Sequence, residues 1–165
     1  MDTNLPSYLN TLHQALLLVD DAPLECDGHT MMVSLALLRE NIPHQRVLGK
    51  VCGLDNGFAL SPHCWIVLDG HILDYRLRMW VHLQLGDEVA AQAPHGIFSG
   101  NSFRLRYQYQ AIQPFPAKPM APALLNVLTE GYSDRLHIPG DLLRVIALNN
   151  TKARRFSPAG ASSHS

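Results

Sequence analysis

The dipeptide Asp69-Gly70 lies between two apolar runs, "HCWIVL" and "HILD", and it restricts the fold more than any other short stretch of the chain. Asp-Gly favours a two-residue type I′ loop, whose twist matches that of an antiparallel hairpin. The loop fixes the register: Leu68 faces His71, Trp65 faces Asp74 and His63 faces Arg76. Side chains alternate along a strand, so His63, Trp65, Val67, Ile72, Asp74 and Arg76 share one face. His63 and Asp74 become diagonal neighbours, with alpha carbons about 7–8 Å apart and side chains within reach. A carboxylate so placed selects one imidazole tautomer and stabilises the imidazolium, which is the orienting half of a triad.

A nucleophile stands upstream. Cys26 precedes "HTMMVSLALLRE", a helix apolar on nearly every side and therefore buried, which ends before Pro43. The unpaired N–H groups and dipole at the start of a helix favour thiolate over thiol. If that helix packs on the hairpin face, Cys26 meets His63, and the imidazolium lowers the thiol pKa further. The Cys26 backbone N–H would then point at a developing oxyanion.

The other elements are a first helix over 8–19, a strand in "HQRVLGKVCG" and turn chemistry at Asp55-Asn56-Gly57. The hairpin's second strand reads on through "DYRLRMW", which sets Arg76 and Arg78 on one face. Those arginines would grip an anionic group or simply be solvated. A loop with a short helical turn follows in "LGDEVAAQAPHGIFSGNS", then a half-buried strand in "FRLRYQYQ". "PFPAKPMAP" is an extended connector, and short helices are expected near 122–130 and 140–149. Helices, then antiparallel strands, then more helix describe an α+β domain over residues 1–150, with a disordered tail over 151–165.

Composition bounds the partners. The net charge of −1 and the absence of a basic stripe give nucleic acid and anionic membranes nothing to bind. The longest apolar run falls well short of the ~20 residues of a membrane span. Three cysteines without framework spacing, and an N-terminus without a leader pattern, suggest a reducing, cytoplasmic setting. Nine histidines invite a search for metal, yet no C-x-x-C, H-E-x-x-H or similar spacing occurs, so neither metal nor cofactor is expected. His63 and Cys64, adjacent on a strand, should point to opposite sides. Cys52 and Cys64 read as structural and Trp65 as an aromatic flanking the site. His29 lines the pocket or only occupies the first helical turn, and His95 lies in a loop that could border the site.

The stretch "CDGHTMMVSLALLRENIPHQRVLG" resembles the catalytic-cysteine segment of the transglutaminase-like superfamily: a cysteine opening an apolar helix, an Ile-Pro, then a strand ending in Gly. "HCWIVLDGHILD" resembles that family's His-x-Trp strand with an aspartate on the next strand. The resemblance spans roughly residues 24–80 and departs from the family at Asp27-Gly28. It implies a papain-like core and a Cys–His–Asp triad, with Cys26 as nucleophile, His63 as general base and acid, and Asp74 as orienting carboxylate. His29, Trp65 and Arg76 are then the candidate lining of the substrate pocket. The expected activity is a thiol hydrolase or acyltransferase acting through a thioester on amide bonds of peptide, isopeptide or glutamine type, with a protein or peptide as substrate. Members also include non-catalytic relatives, so an interaction module with a silent triad is the alternative.

Overall fold

A computed structural model describes residues 4–100, 106–116, 120–142, 144, 145 and 148. Its elements run α1 (Ser7–Leu17), α2 (Cys26–Arg39), β1 (Gln45–Gly53), β2 (Ala59–Leu68), β3 (His71–Asp74), α3 (Leu77–Leu85), α4 (Asp87–Ala91), β4 (Gly96–Ser99), β5 (Tyr107–Pro114), α5 (Pro122–Leu128) and α6 (Tyr132–Arg135). The strands form one five-stranded sheet in the order β4-β3-β2-β1-β5. Every neighbouring pair is antiparallel, which makes the protein a mixed α+β fold. None of the described helices is long and apolar enough to cross a membrane.

The Asp-Gly loop sets the register as its chemistry requires. Asp69 and Gly70 both take positive φ, 49° and 74°, and the pairs Leu68↔His71, Val67↔Ile72 and Ile66↔Leu73 follow. Pairing stops there, so the partners expected beyond it, Trp65 with Asp74 and His63 with Arg76, are not laddered. The cause is Asp74. Its Oδ1 accepts the backbone N–H groups of Arg76, at 2.9 Å, and Leu77, at 3.1 Å, and this turns the chain out of the sheet. Helix α3 begins at once, with Leu77 and Val81 buried at i, i+4 spacing. The strand expected through "DYRLRMW" is therefore a helix start. Strand β4 also occupies part of what reads as loop.

Alternation along the strands sorts two cores onto the two faces of the sheet. On one face Ile66, Leu68, Leu73 and Ile97 pack against α1 and α2 through Leu9, Leu12, Met32 and Leu37. On the other, Trp65, Ile72 and Phe98 pack with Leu77 and Val81 of α3 and Ala90 of α4. The cysteine-bearing helix thus lies on the face opposite Trp65, not on the face His63 and Asp74 share with it. Helix α2 closes in a Schellman arrangement: Asn41 takes φ 55°, Ile42 N–H reaches Leu37 O at 2.9 Å, and Asn41 N–H reaches Leu38 O at 3.0 Å. Ile42 then enters the core.

At the C-terminal end, the helix expected near 122–130 is α5, followed by the short α6. The one expected over 140–149 falls partly, and the tail over 151–165 wholly, outside the described residues.

Candidate active site

Helix α2 and the hairpin come from opposite faces, so they can meet only where the sheet stops separating them. That place is the β3-side edge of β2, left uncovered once pairing ends at Ile66↔Leu73. Cys26 is the first residue of α2, which packs on β2. The Cys64 thiol, then the His63 imidazole and the Cys64 backbone N–H, all act to lower the pKa of Cys26. Adjacent strand residues alternate sides, yet both His63 and Cys64 act on Cys26.

His63 and Asp74 form the buried pair that the hairpin register foretells. His63 Nε2 lies 2.7 Å from Asp74 Oδ2, with side-chain exposures of 0% and 1%. Burial works against the Asp74 carboxylate, but His63, the Arg76 N–H and the Tyr109 hydroxyl outweigh it and keep its pKa below the usual range. For His63, burial alone would strip the proton. The charge and hydrogen bond of Asp74, followed by Cys26, overcome this and raise its pKa to about 10. His63 Nδ1 has no hydrogen-bond partner, and it is the nitrogen left over for the sulfur. Such loose alignment is common before a substrate draws the groups together.

Cys26 itself is half-buried and free. Donation from the Cys64 thiol is the largest influence on it; burial opposes, and His63 assists, bringing the pKa to about 5. The Cys64 proton is correspondingly held firmly, because removing it beside a thiolate would bring two negative sulfurs together. Cys64 is thus a buried mid-strand residue that also acts on Cys26.

The remaining candidates divide. Trp65 flanks the site, its ring centroid 6.1 Å from that of His63. It fits because Gly49 on β1 lacks a side chain: a Cβ there would stand 2.4 Å from the indole. His29 is buried in the first turns of α2 with Nε2 unpartnered, and its ring lies against Tyr75, centroids 5.6 Å apart. Burial and then the Arg76 charge lower its pKa to about 3, so it is a neutral core imidazole. Arg76 is buried rather than solvated, and it lines an adjoining cavity. Its Nε donates to Leu24 O at 2.7 Å, Nη1 to Tyr75 O at 2.8 Å and to Asp20 Oδ1 at 3.1 Å, and Nη2 to Ala22 O at 3.0 Å. This guanidinium clamps the segment that leads into Cys26. His95 Nε2 binds the other oxygen of Asp20 at 2.7 Å.

A cavity of about 690 Å³ lies beside that segment, lined by Leu24, Glu25, Arg78, Met79 and His95 among others. It adjoins the residues just before Cys26 without including Cys26 or His63.

Tyr109 is absent from the sequence-based site. Its hydroxyl donates to Asp74 Oδ2 at 2.7 Å. Only the alternation of aromatics in "YQYQ" marks it as facing inward, and nothing local ties it to Asp74. Among the described residues no cluster of three or more His, Cys, Asp or Glu side chains is suited to a metal ion. Compared with family models, curated proteins and solved structures, the chain matches none.

Proposed function

We propose that the protein is a papain-like, transglutaminase-like cysteine hydrolase or acyltransferase acting on an amide carbonyl of a protein or peptide. One observation carries the reading: a buried His63–Asp74 pair and a cysteine with a pKa of about 5 converge on one strand edge. At neutral pH the stable form is then thiolate and imidazolium, the pair that thiol enzymes use.

The Cys26 sulfur adds to the carbonyl carbon, and the carbonyl electrons move to oxygen. The Cys26 N–H at the start of α2 faces the oxyanion. As the intermediate collapses, the C–N bond breaks and His63 gives its proton to the departing amine. The products of this half are the free amine and a thioester on Cys26. Water or a second amine then attacks the thioester, His63 takes the proton, and the thiolate leaves. Asp74 keeps His63 in place throughout.

A second reading has its own support. His63 is wholly buried, and the large cavity stops short of the triad, as in a domain that keeps the fold and binds without turnover. Thiol labelling separates the two. Brief iodoacetamide treatment at pH 6 followed by peptide mapping should modify Cys26 at least roughly tenfold faster than Cys52 or Cys64, and His63→Ala should abolish that advantage. An amide-derived electrophilic probe should add its mass to the wild type and not to Cys26→Ala. Equal labelling of all three cysteines, or a Cys26 rate indifferent to His63, leaves the binding module as the function.

A further inference from the structure

Asp74 serves two elements with its two oxygens. Oδ1 is held by the backbone N–H groups of Arg76 and Leu77, which fixes the carboxylate plane through the start of α3. Oδ2 accepts His63 Nε2 and the Tyr109 hydroxyl, each at 2.7 Å. Tyr109 comes from β5, where it pairs with Val51, and its ring stands edge-on to Trp65 with centroids 5.1 Å apart at 85°. Burial and the neighbouring carboxylate keep the phenol protonated, so it can only donate to this oxygen.

We propose that Tyr109 is a positioning residue that shares Asp74 Oδ2 with His63 and so sets how firmly the carboxylate holds the imidazolium. The proposal rests on the triad reading above. Its physical content is that a carboxylate oxygen accepting two donors divides its charge between them. Deleting the hydroxyl does not free Asp74, since the Oδ1 contacts remain. It directs the whole Oδ2 charge onto His63. An imidazolium held too firmly is a poor acid toward the departing amine, whereas one held by a shared oxygen releases its proton more readily.

The charged and titratable groups around this unit are few. Asp74 is faced by His63 from β2, Tyr109 from β5, Arg76 from its own segment and His29 from α2, whereas Cys26 is faced by His63 and Cys64. Asp27 acts on Cys64, and Tyr107 on Tyr109.

The test is the pH dependence of Cys26 alkylation in the full chain, read by peptide mapping between pH 3 and 8. In Tyr109→Phe the ring still packs on Trp65. The reactive limb should move to lower pH by about half a unit, because a more firmly held imidazolium favours the thiolate. Tyr107→Phe, on the same strand, loses a hydrogen bond with Asn56 and none to Asp74, and should leave the limb in place. Incorporating 3-fluorotyrosine at Tyr109 strengthens the donor and should move the limb upward, which keeps the test available if Tyr109→Phe folds poorly. An unmoved limb in both Tyr109 variants, or an upward shift in Tyr109→Phe, overturns the proposal. His63→Ala distinguishes the two failures. If it raises the limb while the Tyr109 variants do nothing, only the role of Tyr109 falls. If it too changes nothing, the Cys26–His63 pairing falls with it.

Discussion

The state of Cys26 depends on a residue that does no chemistry of its own. A half-buried thiolate needs donors, and the Cys64 thiol contributes more to it than the imidazole does. Because the Cys64 backbone N–H also points at the sulfur, replacing the side chain leaves one donor in place. Cys64→Ala should therefore shift the alkylation limb of Cys26 upward from about pH 5 without returning it to that of a free thiol. Cys64→Ser, which keeps a hydroxyl donor, should restore much of the difference. Rate–pH profiles for the variants check this. If Cys64→Ala reacts like the wild type at every pH, the imidazole alone holds the thiolate and the Cys64 contact is incidental.

At the scale of elements, the site is assembled by one turn, one strand-to-helix break and one clamp. The Asp69-Gly70 turn places His63 and Asp74 together, Asp74 Oδ1 converts strand into helix, and Arg76 ties that new helix to the segment entering α2. Replacing Arg76 with Lys keeps a charge but loses the planar fork that serves Ala22, Leu24, Tyr75 and Asp20 together. Arg76→Lys should cost roughly 3 kcal/mol in urea unfolding, because buried carbonyls lose their donors, and should slow Cys26 labelling as the start of α2 loosens. A variant within about 1 kcal/mol of wild type and equally reactive would mean the segment is held by its apolar contacts.

The features legible in the sequence are those fixed by local chemistry. Asp-Gly admits few turns, so the pairing of His63 with Asp74 could be read directly, and the apolar run after Cys26 could only be a buried helix. "DYRLRMW" fits both a period of two and a helical stripe, and what decides between them is the pair of backbone N–H groups that Asp74 Oδ1 accepts, invisible to periodicity. β4 is too short to leave a pattern. The bond from Tyr109 to Asp74 depends on how β5 registers against β1, a long-range choice that no local residue announces. Cys64 reads as a structural mid-strand residue, and no local signal announces that it acts on Cys26.

Over the whole molecule, buried imidazoles set opposite limits on the pH range of stability. His29 has a folded pKa of about 3, below that of an unfolded histidine near 6.5, so between those values the unfolded chain binds the proton and the folded chain does not. Its contribution is complete above about pH 6.5 and is lost as the pH falls toward 3. Burial lowers His13 and His44 as well, and they act in the same direction. His63 is the reverse case: raised to about 10, it stabilises fully below about pH 6.5 and loses that contribution as the pH rises through 10. The acid side is the one that can be isolated by substitution, since His29 takes no part in the triad and its Nε2 has no partner to lose. His29→Phe keeps a ring against Tyr75 and removes the titrating group. At pH 7 it should be at least as stable as wild type, because a buried unpartnered nitrogen is gone. Between pH 7 and pH 4 the wild type should lose roughly 3 kcal/mol that the variant retains, the linkage value for a histidine with these two pKa values. Urea midpoints at pH 4, 5, 6 and 7 measure the difference. Parallel curves for the two proteins would assign the acid sensitivity to the carboxylates instead, with Asp74 the first to examine.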